Sequence, residues 1–136
     1  MKAILLSVHV IVAILAIGPI AVAGSMFPRY AGDPAGPVLH RICATYSVIG
    51  IAVPLLGIAT AAALGVLTDA WVLISIALTA IAAAVLVLSV LPGQRRVLAG
   101  NTAAAKGLGM STGIFNLLWV AVTVLMIVRP GSTTGV

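Results

Sequence analysis

Four long apolar runs, separated by short clusters of Pro, Gly, Lys and Arg, account for most of this chain. Each is near or above the roughly 20 residues that carry an α-helix across a bilayer. They predict spans at about 3–24, 39–67, 70–91 and 107–128, in one integral membrane domain covering 1–136. The loop after the first span, 25–38, holds three of the seven prolines, so a regular helix is not expected to pass through it. Phe27, Arg29 and Tyr30 in that loop suit an anchor at head-group depth. The second span opens with His40 and Arg41 at its edge and contains Pro54, which should bend it between Gly50 and Gly57. Thr68-Asp69-Ala70 predicts a tight connection that pairs the second and third spans antiparallel, with Asp69 as a candidate cap and Trp71 at the interface. Pro92-Gly93 ends the third span, and 93–106 reads as a basic, helix-prone loop. The fourth span stops at Arg129-Pro130-Gly131, with a frayed polar tail beyond. The expected fold is all-α, a four-transmembrane-helix bundle of two antiparallel hairpins.

The start of the chain has a competing interpretation. Lys2, an apolar run and Ala21-Val22-Ala23 before Gly24 resemble a secretory signal and its cleavage site. The run is nearer span length than a signal core, so a retained helix is expected.

Composition agrees with the pattern: hydrophobic residues make up 62% and charged residues 7% of the chain, and its mean hydropathy is +1.31. These values lie outside the range of soluble domains and leave no room for a separate soluble catalytic domain. The net charge of +5 comes from cations dispersed at span ends without an aromatic platform, which argues for lipid head groups as partners and against nucleic acid. Arg29, Arg41, Arg95, Arg96 and Lys106 fall on one side of the bilayer, and Lys2 and Arg129 on the other. By the excess of cations, loops 25–38 and 93–106 are expected in the cytoplasm and both termini outside, although Lys2 argues mildly the other way.

Small residues recur through the spans, and Gly109-x-x-x-Gly113 has the spacing that lets two helices approach closely in lipid. Packing within the bundle and a homodimer seam are both open. Pro28-Arg29 before Ala31-Gly32, and Pro92 and Arg95-Arg96 before Ala99-Gly100, form a faint internal echo.

Chemistry is sparse. Asp33 and Asp69, the only acids, fall in loops, so no carboxylate waits at depth to move protons or cations. Paired carboxylates, a nucleophile with a base, phosphate-binding loops and metal-ligand spacings are all absent from the sequence, so no enzyme is expected. Cys43 reads as a small packing residue. His9 is the one ionisable group well inside a span, about 9 Å below the boundary by helical rise. It could be a neutral imidazole hydrogen-bonded between helices, an axial ligand to haem or a metal, or a proton-responsive group. A haem needs a second axial group at matching depth. His40 belongs to the opposite face, on the order of 20 Å away, which leaves Met126 as the candidate partner. Ser75, Thr79, Thr112 and Asn116 are expected to bond across helices or to their own carbonyls.

The segment Leu6-Ser7-Val8-His9-Val10-Ile11-Val12-Ala13-Ile14-Leu15-Ala16-Ile17-Gly18-Pro19, with Leu91-Pro92-Gly93-Gln94-Arg95-Arg96-Val97-Leu98, resembles a family of small bacterial four-helix predicted integral membrane proteins. More distantly it is similar to the copper-resistance-D type membrane domain. The resemblance implies the four-helix fold, and in some relatives a haem-binding His in the first span, which falls on His9. Residues and resemblance together lead to an expected non-enzymatic accessory, scaffold or assembly protein of a bacterial inner membrane, homo-oligomeric or part of a larger complex, without a cofactor. The alternatives are a b-type haem or metal-binding protein using His9, and a small dimeric channel or exporter for neutral or hydrophobic solutes.

Overall fold

A computed structural model describes residues 2–130. In hydrocarbon every backbone N–H and C=O must find an internal partner, and a chain this apolar meets that demand with helices. Helix α1 (Lys2–Tyr30) is the first span. The second consists of α2 (Ala35–Ile49) and α3 (Ala52–Leu64), separated at residues 50–51. The third is continuous through α4 (Ala70–Val85), a π turn (Leu86–Val90) and α5 (Leu91–Leu98). Helix α6 (Ala104–Val128) is the fourth. All four are long and apolar enough to cross a membrane.

The two antiparallel hairpins are α1 with α2–α3, and α4–α5 with α6. Helices α3 and α4, consecutive in the chain, barely touch, so the expected pairing of the second and third spans is not the one formed. Contacts of α1 with α6 and of α2 with α5 join the hairpins into one bundle.

Proline disrupts these helices less than the sequence suggested. Pro28 lies inside α1, which runs on to Tyr30, so the break occupies only the turn at 31–34 rather than the whole of 25–38. Gly36 follows that turn because a Cβ there would stand 2.5 Å from the Ala31 carbonyl oxygen. Pro92 likewise lies within helix, and the third span continues to Leu98 instead of stopping at Leu91. The accommodation comes just before the proline: the Leu91 N–H reaches back to the Leu86 carbonyl, five residues away, and this widened turn displaces the ladder that Pro92 cannot join. Pro54 does mark the expected bend, and its missing donor falls where α2 gives way to α3 at Gly50. At the other end of α3, Gly65 adopts φ +72, the left-handed C-cap conformation that favours glycine.

The largest fully buried side chains include Phe27, Ile20, Gln94, Val90 and Val122. Phe27 is therefore core, not the head-group anchor that its loop position suggested. Trp71 is also inside, packed with Ala61 and Val72, and the Arg129 guanidinium sits 5.2 Å over its ring. Asp69 stands at the N-cap of α4 without a side-chain capping bond; its backbone carbonyl accepts from Val72 and Leu73 instead. Large apolar side chains such as Ile14, Leu15, Val48, Leu88 and Leu117 face outward, as lipid permits. The expected fraying of the tail at 131–136 lies outside the described residues.

Candidate functional site

Two places, one near each end of the bundle, hold the buried titratable side chains among the described residues. The first is at His9, which α1 directs against α3. His9 is buried. Opposite the ring is Gly57, where a Cβ would stand 3.0 Å from the imidazole Cε1. Hydrogen at position 57 is thus what gives the ring its place. The Val53 backbone, one turn earlier on α3, also faces the imidazole. The ring lies between helices as expected, but its Nδ1 is buried without a hydrogen-bond partner among the described residues.

On its α3 side the His9 ring stands against Gly57. Met126, the proposed second ligand, packs against the Ala61, Trp71 and Val72 cluster. His40 is engaged at the far end of the bundle. No group of three His, Cys, Asp or Glu side chains among the described residues is placed to hold a metal.

The second contact escaped the sequence reading. Gln94, assigned to a polar loop, is 0% exposed. Its Oε1 lies 2.7 Å from His40 Nδ1. An amide oxygen can only accept, so the His40 proton resides on Nδ1 in this arrangement. The Gln94 Nε2 donates to Cys43 Sγ at 3.4 Å, and that thiol faces the Ile20 carbonyl at 3.9 Å. The chain of contacts ties α5, α2 and α1 together. It exists because the third span stays helical past Pro92. Gly93 then brings α5 against α6, where a Cβ would meet Leu108 at 3.1 Å. Cys43 is fully buried, the packing residue its type predicted.

The connectivity places Arg29, Arg41, Arg95, Arg96 and Lys106 at the end of the bundle where α1 and α5 finish and α2 and α6 begin. All five are exposed. Interhelical hydroxyl and amide contacts reach inward from the same end: Ser111 donates to Ser89 at 3.1 Å, and Asn116 to Ser25 at 2.9 Å. Ser75 bonds the Trp71 carbonyl within its own helix, as expected of a span serine. Thr112 does otherwise. A Cβ on Gly24 would stand 3.3 Å from its methyl, while its hydroxyl has no partner among the described residues.

Gly109 and Gly113 stand apart from the glycines at close approaches. Among the described residues nothing lies within 4 Å of where a Cβ would project at either one, and both are exposed on α6. The bundle's own tight crossings use Gly24, Gly57 and Gly93 instead.

Comparison of the chain with protein-family models, with curated proteins and with solved structures finds no match in any of the three.

Proposed function

We propose that this protein is a non-enzymatic accessory, scaffold or assembly subunit of a bacterial inner membrane, working through contact between its helices and those of a second copy or of a larger complex. The observation that carries this reading is the uncovered pair Gly109 and Gly113. Without a hydrophobic drive between helices in lipid, association depends on close backbone approach, and small residues four apart supply it. Here that spacing is left over after the chain has packed against itself. The basic end lies in the cytoplasm by its excess of cations, with both termini outside.

The rival readings draw less support. A haem at His9 would need the ring freed from Gly57 and a second ligand brought to it. A Soret band that disappears in His9→Ala would restore that reading. A channel through one chain would need a watered path. Instead Ala13, Ala16, Ile17, Ile20, Val53, Ala82, Leu86 and Phe115 form a continuous apolar cluster between the helices.

Energy transfer between donor- and acceptor-labelled protein in dilute vesicles tests the proposal. Wild type should transfer, and Gly109→Leu/Gly113→Leu should not, with helicity unchanged. Absence of transfer in wild type, or equal transfer in both, contradicts it.

A further inference from the structure

Where the π turn and α5 run beside the start of α6, a half-open crevice of about 220 Å³ is lined by Ser89, Gly93, Arg96, Ala104, Gly107 and Ser111, among others. We propose that this crevice binds the head group of an anionic phospholipid, with Arg96 on the phosphate and the Ser89 and Ser111 hydroxyls on the ester and glycerol oxygens below it.

Depth is the first argument. The third span has 29 residues. At about 1.5 Å per residue it exceeds a hydrocarbon core of roughly 30 Å by more than two helical turns. With that excess at the basic end, Ser89 comes to the hydrocarbon boundary and Arg96, in the last turn of α5, to head-group level. Ser89 lies two turns nearer the bilayer centre. A phospholipid presents its polar groups in the same vertical order.

Charge is the second. Arg96 makes no hydrogen bond or ion pair among the described residues, and the chain's only acids are Asp33 and Asp69. A guanidinium offers several donors in a planar fork suited to phosphate oxygens. Arg95 and Lys106 nearby raise the local positive potential, which favours a net-negative head group over a zwitterionic one.

Construction is the third. The floor is closed by Gly93 against Leu108, the two hydroxyls are already directed to each other at 3.1 Å, and the π turn sets the Ser89 register. The neighbouring Leu88 and Met110 are exposed at 73% and 66%, giving acyl chains an apolar surface beside the polar crevice. By contrast, the crevice around Arg29 is lined by α1 alone, from Ser25 to Tyr30.

Native mass spectrometry of protein extracted from phosphatidylcholine vesicles containing phosphatidylglycerol provides the test. Wild type should retain phosphatidylglycerol, and Arg96→Gln should retain about tenfold less, more than the loss of one diffuse surface charge produces. Arg96→Lys should recover part of the retention. Arg95→Gln, which changes an adjacent arginine outside the crevice and removes only its share of the local potential, should lower retention much less than Arg96→Gln. Equal retention by wild type and Arg96→Gln would overturn the site, and so would equal loss in the Arg95→Gln and Arg96→Gln proteins, which means general surface charge. Millimolar inorganic phosphate should leave the lipid in place; its displacement would assign the crevice to a soluble phosphate and overturn the lipid proposal.

Discussion

The two histidines of this bundle are held in opposite ways. His9 lies two turns into the first span, meets one helix through a glycine, and has an Nδ1 without a bond among the described residues. His40 is half-buried near the basic end and shares a 2.7 Å contact with Gln94, which also donates to Cys43. The more isolated residue in the sequence is the less connected one in the fold. The two lie at similar distances from the starts of their helices, so depth does not separate them; α3 offers His9 a glycine, and its place is decided by shape, whereas α5 offers His40 an amide, and a network forms. A lone ionisable residue is conspicuous in a hydropathy profile; the facing helix decides what it does.

If shape governs the His9 end, filling position 57 should do the most damage. Gly57→Leu forces large atoms into the imidazole, and overpacking of this kind costs about 1–3 kcal/mol or more. Unfolding in mixed micelles should register that loss, and His9→Ala should restore part of it in the double variant. Full stability in Gly57→Leu alone would mean that the ring does not occupy that place.

Bonding should govern the other end. Gln94→Ala strands His40 and opens a cavity, for a loss of about 1–3 kcal/mol. A double-mutant cycle with His40→Ala should give a coupling of about 0.6 kcal/mol, the average of interhelical hydrogen bonds in lipid, and no more than about 1.7. A coupling of zero removes the network.

A smaller effect sharpens the contrast. His9→Leu replaces an imidazole with an unbonded buried nitrogen by an apolar side chain, which should be neutral or stabilising. A large loss on this substitution reveals a partner for His9 and makes the two ends alike. Smallest of all, Ser111→Ala removes a hydroxyl contact at the exposed Ser89 and should change stability by less than about 0.5 kcal/mol, whatever it does to lipid retention.

The four spans, the bend at Gly50 and the buried Cys43 were legible because each follows from local composition: a long apolar run, a proline, a small residue. Pro28 and Pro92 misled for a physical reason. A breaker reading assumes that released backbone groups can turn to water, whereas in lipid the cheaper course is to keep the helix and displace the ladder, as the π turn before Pro92 does. The sequence suggests a loop at Gln94 because its partners are 54 and 51 residues away, beyond the reach of periodicity. The match of His9 to Gly57 is equally non-local, although a glycine inside an apolar span is a signal of close approach. Which glycines serve the chain's own packing, and which are left over, required the fold.

That remainder is the centre of the account, and disulfide trapping in membranes examines it directly. In a Cys43→Ser background, single cysteines at 109 or 113 should cross-link two copies rapidly, while one at the equally outward-facing position 14 should not. Cross-linking at position 14 as fast as at 109 and 113, or at none of the three, would contradict an assembly role built on Gly109 and Gly113.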